Sequence, residues 1–416
     1  MKRWLVLGGA ALLLLLLAAA GVYVALELRA AEDVRGSSTE EFVTTAAPKP
    51  KPPPKPGIEW PTYGFDEVRN RISPYRHRPP YRVVWGFPGR TLIEFPPVIA
   101  YGRLYFANND GVLFAVSTRN GKLAWRFDSG RVQAASPAIA GGTVYHTFLY
   151  RRGQAKDKRD GELVALDADT GKVRWRRALA PSESSPLVHI GRVYVGDWSG
   201  RVYCFAAASG RLLWTYRTGA EVKGAVTATG RRLFVGSYDH HFYALDALTG
   251  KLLWRSSVQE RLGARGRFYS TPSAAYGRVY VGSTDGKVYS YGATTGELRW
   301  SHRTGGYVYG APAVWQGRVF VGSYDSRFYA FDAATGDVLW RFEANGPISG
   351  SSTVVDGLVY FATLKRRTYA LDARNGRQVW TFPDGEYTPV VTDRDKLYVV
   401  GKARVYALVS RVRSGR

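Results

Sequence analysis

Residues 243–254 read Tyr243-Ala-Leu-Asp-Ala-Leu-Thr-Gly-Lys-Leu-Leu-Trp254, and variants of this pattern recur along the 416-residue chain. Each copy has a Gly four positions before its Trp and a small residue ten positions before it. The Trp residues of the seven copies are Trp125, Trp175, Trp214, Trp254, Trp300, Trp340 and Trp380. Successive Trp residues are 39 to 50 positions apart, which is typical of one supersecondary unit per repeat.

Each copy predicts a β-hairpin, and a second hairpin precedes it. Large and small side chains alternate over Tyr243-Ala-Leu-Asp, as in a strand, and Gly250 can adopt the positive φ of a tight turn. Upstream hairpins have the pattern of residues 311–325, where Gln316-Gly317 forms the turn. Four strands per repeat of roughly 40 residues, arranged radially, form the blade of a β-propeller.

The two ends of the repeat region predict how the ring closes. After Trp380 the sequence predicts three strands but no further Thr-Gly turn or Trp, whereas Trp85 lies in a strand pattern that no other three strands precede. We therefore expect an all-β, eight-bladed propeller of four-stranded antiparallel blades, whose last blade is completed by the N-terminal strand, so that no edge stays open. Trp85 and the seven repeat Trp residues are expected to dock between neighbouring blades.

The repeat resembles the quinoprotein-type propeller repeat, Ala-x-Asp-Ala-x-Thr-Gly-x-x-x-Trp, over residues 81–409. This repeat is shared by pyrroloquinoline-quinone dehydrogenases and by the outer-membrane protein assembly lipoprotein, which is not an enzyme. The segment from Trp60-Pro-Thr-Tyr-Gly-Phe-Asp66 to Ser73-Pro74 also resembles the pre-propeller segment of the dehydrogenases. The resemblance implies the fold but not the function, because this fold serves both enzymes and scaffolds.

The N-terminal region predicts a membrane anchor. Residues 4–26 carry no charge, follow Lys2 and Arg3, and as a helix rising about 1.5 Å per residue would cross a hydrocarbon layer of roughly 30 Å. We expect a single-pass transmembrane signal-anchor in the cell membrane, with a cytoplasmic start and an extracytoplasmic propeller; a cleaved signal peptide is the alternative. The predicted divisions are 1–30 (start and anchor), 31–57 (Pro/Lys-rich linker), 58–80 (pre-propeller segment), 81–410 (propeller) and 411–416 (basic tail).

The chain is strongly basic, with a formal net charge of +24. The first 60 residues hold seven Lys and Arg and six Asp and Glu, so the excess belongs to the predicted propeller. Such a charge favours anionic partners, and nucleic acid is excluded only because the propeller is predicted to lie outside the cell. We expect a monomer that binds an envelope protein or an anionic polymer.

The sequence disfavours an enzyme. The resemblance to quinoprotein dehydrogenases implies a vicinal Cys-Cys disulfide over the quinone, with a calcium ion beside it. Cys204 is the only Cys and occupies the small-residue position of a repeat, so that disulfide cannot form. Motifs of hydrolases, zinc proteases and phosphate-binding loops are also absent from the sequence. No catalytic residue, metal site or cofactor is therefore expected, and pyrroloquinoline quinone with calcium is disfavoured.

Two insertions indicate where a partner would bind. Residues 150–160 and 259–269 interrupt turns that a propeller places on one face, and elaborated loops on a rigid scaffold commonly bind ligands. Aromatic and basic residues suit such a role, although the Tyr-Asp pairs have the pattern of ordinary turns and His146 that of a hydrogen-bonded core histidine. The candidate partner-binding residues on this face are Glu221, Lys223, Tyr238, His240, Arg261, Arg265, Arg267, Tyr269, Tyr307, Tyr309, Tyr324, Lys365 and Arg366.

The leading hypothesis is thus a membrane-anchored extracytoplasmic scaffold that engages a protein or an anionic envelope polymer through the insertion-bearing face. A quinone-dependent dehydrogenase, or a catalytically inactive relative of one, is the first alternative. A sensor of a small sugar or metabolite is the second.

Overall fold

A computed structural model describes residues 2–30, 32–44, 57–259 and 266–411. It contains an N-terminal helix, α1 (Lys2–Ala30), a short 3-10 helix (Lys156–Lys158) and eight antiparallel sheets arranged as the blades of a propeller. The innermost strands of neighbouring blades contact one another around a central channel. The predicted eight-bladed propeller is therefore confirmed.

Strands are numbered in chain order. Blade 1 contains β3 (Val98–Ala100), β4 (Arg103–Ala107), β5 (Val112–Ser117) and β6 (Leu123–Asp128). Blade 2 contains β7 (Ala138–Ala140), β8 (Thr143–Phe148), β9 (Gly161–Asp167) and β10 (Val173–Leu179). Blade 3 contains β11 (Leu187–His189), β12 (Arg192–Gly196), β13 (Arg201–Ala206) and β14 (Leu212–Arg217). Blade 4 contains β15 (Thr227–Thr229), β16 (Arg232–Gly236), β17 (His241–Asp246) and β18 (Leu252–Ser257).

The second half of the ring follows the same pattern. Blade 5 contains β19 (Ser273–Ala275), β20 (Arg278–Gly282), β21 (Lys287–Gly292) and β22 (Leu298–Arg303). Blade 6 contains β23 (Ala313–Trp315), β24 (Arg318–Gly322), β25 (Arg327–Asp332) and β26 (Val338–Glu343). Blade 7 contains β27 (Thr353–Val355), β28 (Leu358–Thr363), β29 (Arg367–Asp372) and β30 (Gln378–Phe382). Blade 8 contains β31 (Val391–Thr392), β32 (Leu397–Val400), β33 (Arg404–Ser410) and β2 (Tyr81–Pro88).

Blade 8 closes the ring as the sequence predicts. Its outermost strand, β2, pairs antiparallel with β33, and Trp85 lies opposite Ala407 in that pairing. A ring closed by strands from both ends of the propeller leaves no blade incomplete, and therefore no long unpaired edge that could pair with another chain.

The register of the strands explains why a small residue precedes each Trp by ten positions. Cys204 lies directly opposite Trp214, and Ala244 directly opposite Trp254, on neighbouring strands of their blades. A small side chain at this position leaves room for the indole. The indole in turn packs on the Thr-Gly turn of the next blade, as Trp214 does on Gly250, and donates a hydrogen bond to the carbonyl of Ala247 at 3.1 Å.

The same contact recurs around the ring, except at Trp380. Six further Trp residues donate a hydrogen bond from the indole nitrogen to a backbone carbonyl of the next blade, at 2.9 to 3.4 Å. They are Trp85, Trp125, Trp175, Trp254, Trp300 and Trp340. Trp380 faces blade 8, which has no Thr-Gly turn, and packs instead edge-on against Tyr81 with ring centroids 5.1 Å apart.

The pre-propeller segment forms a structure that the repeat did not predict. Its first residues are strand β1 (Ile58–Trp60), which pairs with β3 as a fifth strand of blade 1. From there the segment contacts the inner strands of the following blades in ring order. The hydrogen-bonded pairs are Pro61 with Ile139, Thr62 with Pro186, Glu67 with Ala228, Val68 with Ala274, Asn70 with Val314, Arg71 with Val354 and Ser73 with Thr392. It therefore fills the channel from blade 1 to blade 8.

Residues 32–44 were predicted as the beginning of a linker, but they pack on blades 5 and 6. Val34 pairs with Ser301, and the Arg35 guanidinium forms a bidentate ion pair with Asp337. The Phe42 ring stacks on Tyr276 with centroids 4.8 Å apart. We call residues 32–44 the strap. The proline-rich tract at 48–56 and most of the predicted basic tail lie outside the described residues.

The prediction of a membrane anchor is wrong. Among the residues that the structure describes, no helix combines the length and the apolar character that crossing a bilayer requires. The placement of the propeller on the extracytoplasmic side of a cell membrane depended on that anchor and is overturned with it. The exclusion of nucleic acid rested on the same placement and loses its support.

Candidate binding site at the mouth of the channel

The turns between second and third strands and the links between blades meet around one mouth of the channel, as the sequence predicts. Each of these links runs beside a turn of the blade into which it leads: the Tyr238 amide donates to the Glu221 carbonyl at 2.9 Å, and the Tyr324 amide to the Tyr307 carbonyl at 3.0 Å. The insertion at 150–160 lies between β8 and β9 on this face and contains the 3-10 helix. Of the second insertion, residues 260–265 lie outside the described residues.

Five predicted tyrosines form one aromatic surface at this mouth, which we call the tyrosine surface. The ring centroids of Tyr238 and Tyr269 are 6.4 Å apart, those of Tyr269 and Tyr309 are 5.1 Å apart, and those of Tyr309 and Tyr324 are 5.1 Å apart. Tyr307 lies beside both Tyr309 and Tyr324 and is 51% exposed. Flat phenol rings suit a partner that has both apolar and polar groups.

A cavity of about 50 Å³ lies next to the tyrosine surface. Tyr63 of the pre-propeller segment, Tyr387 and Glu94 line it together with Tyr269 and Tyr309. Typical pockets for small molecules enclose roughly 300 to 1,000 Å³. This cavity therefore fits the end of one side chain, or a few waters, better than a polycyclic ligand.

The basic residues of the mouth are held on aromatic rings. The Lys223 ammonium lies 4.6 Å from the Trp198 ring centroid and 4.8 Å from that of Tyr238, and 3.6 Å from a carboxylate oxygen of Glu183. The Arg267 guanidinium lies 5.3 Å from the Tyr238 centroid. Lys223 thus contacts both aromatic rings and a carboxylate, while Arg267 lies on a ring.

The centre of the mouth is acidic. The Tyr269 hydroxyl donates to Glu183 at 3.0 Å. Burial, reinforced by the negative charges of Glu183 and then Glu386, raises the pKa of Glu94 to about 7 from its ordinary value of 4.5, although the Asn109 amide donates to it at 3.5 Å. Glu94 thus lacks a cationic partner that would hold its pKa down, and a positive group entering the mouth would be favoured.

Some predicted site residues lie elsewhere or have structural roles. His240 has a positive φ of 72°, and its Nδ1 lies 2.7 Å from the Gly266 carbonyl. It therefore connects the β16–β17 turn of blade 4 with the link between blades 4 and 5. Lys365 and Arg366 occupy the corresponding turn of blade 7, where Arg366 lines a separate open pocket with Arg90. The predicted residues Arg261 and Arg265 lie outside the described residues.

The Tyr-Asp pairs have the turn chemistry that their pattern predicts. A carboxylate oxygen of Asp239 accepts the His241 amide at 3.1 Å, and the other accepts the Gly219 amide of the preceding link at 2.6 Å. The Asp325 carboxylate bonds Arg327 and Gly305 in the same way, at 2.9 and 2.8 Å. These carboxylates join turns to links and are not free to bind a partner.

Sequence reasoning missed four residues that form the floor and wall of the mouth: Tyr63, Glu94, Glu183 and Tyr387. None of them lies in the Trp-containing hairpin from which the repeat was recognised. A signal was present for Glu94, Glu183 and Tyr387, because each precedes the first strand of a blade and thus belongs to the same kind of link as Tyr269 and Tyr309.

The described residues lack two features that the resemblance to quinoprotein dehydrogenases leads one to look for, a cluster of metal-binding side chains and a vicinal disulfide. Among the described residues, no group of three or more His, Cys, Asp or Glu side chains could hold a metal ion. The single Cys of the sequence, Cys204, is buried opposite Trp214 in blade 3, so no vicinal disulfide can cover a cofactor. The cavity of about 50 Å³ is also small for a tricyclic quinone.

Comparison with known proteins identifies relatives that include an outer membrane protein assembly factor and quinoprotein dehydrogenases. A family model described as outer membrane protein assembly factor BamB matches residues 82–185, 159–306, 244–353 and 343–414. BamB of Yersinia pestis is 26% identical over 133 residues, which cover 29% of this chain and 31% of the relative. Quinoprotein alcohol dehydrogenase PedH of Pseudomonas putida is 24% identical over 192 residues, which cover 42% of this chain and 32% of the relative. The chain thus spans about a third of the length of these curated relatives.

Solved structures with a similar fold include an assembly factor and a quinoprotein dehydrogenase. BamB from Moraxella catarrhalis superposes with a TM-score of 0.66 at 20% identity, covering 81% of this chain and 99% of that one. Quinohemoprotein alcohol dehydrogenase from Comamonas testosteroni superposes with a TM-score of 0.69 at 16% identity, covering 90% of this chain and 82% of that one. At these identities the likeness supports the fold alone.

Proposed function

Since the chain belongs to the family described as outer membrane protein assembly factor BamB, we propose that it is a scaffold that binds a partner protein at the mouth of the channel. The observation that carries this proposal is the continuous tyrosine surface beside a small acidic cavity. The relatives are named for outer membrane protein assembly, and we extend this to a partner from the cell envelope.

The chemistry of the mouth favours a protein segment with a Lys or Arg side chain. Tyrosine rings stack on aliphatic stems and on cations, and Glu94 and Glu183 would face the charged end of such a side chain. An anionic polymer is less suited, because Lys223 and Arg267 already lie on the Tyr238 ring while the carboxylates occupy the centre. The partner is therefore expected to present a basic residue flanked by apolar ones.

The test is binding of synthetic peptides to the full chain, followed by fluorescence anisotropy. We expect peptides with a central Lys or Arg between apolar residues to bind more tightly than the same peptides with Glu. The Tyr309→Ala/Tyr324→Ala variant should weaken binding at least tenfold, the loss of about 1.4 kcal/mol or more. The matched control is Tyr101→Ala, which removes an exposed tyrosine from a first-hairpin turn on the opposite face.

Two results would contradict the proposal. Tighter binding of the Glu peptides would indicate an anionic partner. Equal loss of binding in the Tyr101→Ala control would show that the mouth is not the site. A photoreactive amino acid at position 307 can then identify the natural partner in intact cells, with the same label at position 101 as the control.

We do not extend the other candidate functions to this chain. A quinone-dependent dehydrogenase is disfavoured because the single Cys204 cannot form the vicinal disulfide that the resemblance implies. A sensor of a sugar or metabolite would be detected as a rise in the melting temperature with small ligands, because a ligand that binds only the native state stabilises it.

A further inference from the structure

The pre-propeller segment carries two arginines into the interior of the channel. Their backbone is fixed by the blades: the Arg69 carbonyl accepts the Ser273 hydroxyl at 2.8 Å, and the Arg71 carbonyl accepts the Val354 amide at 2.8 Å. The Arg71 guanidinium carbon lies 4.4 Å from the ring centroid of Tyr63. We call the part of the pre-propeller segment that lies inside the channel, residues 61–73, the plug. The two guanidinium groups lie within it, next to the floor of the mouth.

Both side chains are almost completely buried, since Arg69 is 0% exposed and Arg71 is 1% exposed. Charged side chains are rarely buried to this extent without a carboxylate partner. Each arginine also carries the same charge as its neighbour, so the two groups destabilise each other.

The Arg69 side chain donates only to backbone carbonyls, although the Asp66 carboxylate accepts the Arg69 backbone amide at 2.8 Å. Its side chain donates to the backbone carbonyls of Val226 at 2.8 Å, Ser185 at 3.4 Å and Tyr63. Burial, and then the positive charge of Arg71, lower the pKa of Arg69 to about 9. It remains a cation at neutral pH, so the plug has an excess of positive charge.

Arg71 is only partly hydrogen bonded. Its Nη1 donates to the Arg69 carbonyl at 2.6 Å, but Nε and Nη2 have no partner within the protein. Other arginines with a buried unpaired atom lack a partner at Nε only: Arg159, Arg278, Arg318 and Arg327. Within the described part of the chain, Arg71 is the one arginine whose buried Nε and Nη2 are both unpaired.

Nε and Nη2 form the edge of a guanidinium that binds two oxygens side by side. Arg35 shows this use in the same protein: its Nε lies 3.0 Å from one carboxylate oxygen of Asp337, and its Nη2 lies 2.8 Å from the other. The unpaired edge of Arg71 thus has the geometry that the Arg35 edge uses for a carboxylate.

We propose that the channel plug holds a small carboxylate or oxoanion, bound by the Nε and Nη2 edge of Arg71 and attracted by the neighbouring charge of Arg69. The anion would neutralise part of the buried positive charge and complete the hydrogen bonds of Arg71. It is separate from the partner at the mouth, because it lies in the pre-propeller segment and has the opposite charge. This proposal does not depend on the proposed function.

The first test asks whether the purified protein carries an anion. The full chain is desalted, denatured in acid, and the released anions are measured by ion chromatography. We expect about one carboxylate, phosphate or sulfate per wild-type chain, and none from Arg71→Met. Arg35→Met is the matched control, because it removes a surface guanidinium of the same edge geometry, and it should release as much as wild type. No anion from wild type, or equal release from all three proteins, would overturn the proposal.

The second test needs no variant and decides the case if Arg71→Met does not fold. The wild-type protein is refolded with sodium selenate and crystallised, and selenium is located by anomalous scattering. We expect a selenium peak beside Arg71, with oxygens within hydrogen-bond distance of Nε and Nη2. Water alone on that edge, in crystals that hold selenate at no other buried position, would refute the site. An Arg71→Lys variant, which keeps the charge but not the planar fork, should lower the affinity for selenate at least tenfold.

Discussion

Gly250 and Gly230 offer a controlled test of how neighbouring blades are locked together. Both lie in turns of blade 4 with positive φ, 72° for Gly250 and 56° for Gly230. A Cβ on Gly230 would meet no atom within 4 Å, whereas a Cβ on Gly250 would lie 2.6 Å from Cε3 and 2.7 Å from Cδ2 of Trp214. Real Cβ atoms almost never approach other atoms so closely. Replacement by Ala therefore costs backbone strain at both positions, but a steric clash only at Gly250.

The expected magnitudes follow from these two costs. Left-handed backbone at an Ala costs about 1 to 2 kcal/mol, and overpacking costs about 1 to 3 kcal/mol. Gly230→Ala should thus lower the free energy of unfolding by about 1 kcal/mol, and Gly250→Ala by about 3 kcal/mol. Urea unfolding followed by tryptophan fluorescence measures both. In a Trp214→Leu background the extra loss at Gly250 should shrink, since the indole that causes the clash is gone.

Equal destabilisation by the two substitutions would refute this reasoning. So would an undiminished loss at Gly250 in the Trp214→Leu background, because the indole could then not be the obstacle. Gly-to-Ala changes also restrict the unfolded chain, but they do so equally at both positions. The difference between the two variants is therefore free of that contribution.

Three further predictions concern titration, the core and the strap. Because the pKa of Glu94 is raised to about 7, the folded state binds the Glu94 proton more tightly than the unfolded state does. The free energy of unfolding relative to Glu94→Gln should therefore be highest below about pH 4.5 and fall by about 3 kcal/mol as the pH rises to 7. Urea unfolding at several pH values measures this change. His146 is 0% exposed, and neither of its ring nitrogens has a hydrogen-bond partner within the protein. His146→Leu should therefore raise the melting temperature, measured by calorimetry, by a few degrees. A lower melting temperature would show that a bound water or another group forms hydrogen bonds with the His146 ring. Phe42→Ala should increase hydrogen exchange of residues 32–44 selectively, whereas an unchanged exchange rate would show that the ion pair of Arg35 suffices to hold the strap.

The sequence predicts the ring well because each blade repeats the same physical solution. Cys204 and Ala244 are small for one reason, which is that each lies opposite an indole on the next strand. The seven Gly positions before the Trp residues likewise mark turns on which the preceding blade's indole rests. Periodicity makes such local requirements visible in a single sequence.

The parts that do not repeat could not be predicted in this way. The strand pairing of β1 with β3 and the course of the pre-propeller segment depend on contacts with eight separate blades, so no local pattern reveals them. His146 has a strand pattern, from which a hydrogen-bonded core histidine was expected; the strand is correct, but its ring nitrogens are unpaired within the protein. The membrane anchor was inferred from the length and apolar character of residues 4–26 and from the preceding Lys2 and Arg3, but no helix in the described part of the chain is long and apolar enough to cross a membrane.

The candidate site shows the same division at a smaller scale. Tyr269 and Tyr309 were predicted because they stand out in or beside an insertion, while Glu94 was not, although it occupies the corresponding position before blade 1. The pKa of Glu94 is raised first by its burial and then by the negative charge of Glu183, which lies in the link before blade 3. The repeat pattern predicts where each link lies. The charge of the mouth cannot be predicted in this way, because it depends on residues contributed together by the links of several blades. The net charge of +24 therefore does not identify the partner, because the centre of the ring holds the carboxylates of the mouth as well as the two buried arginines below it.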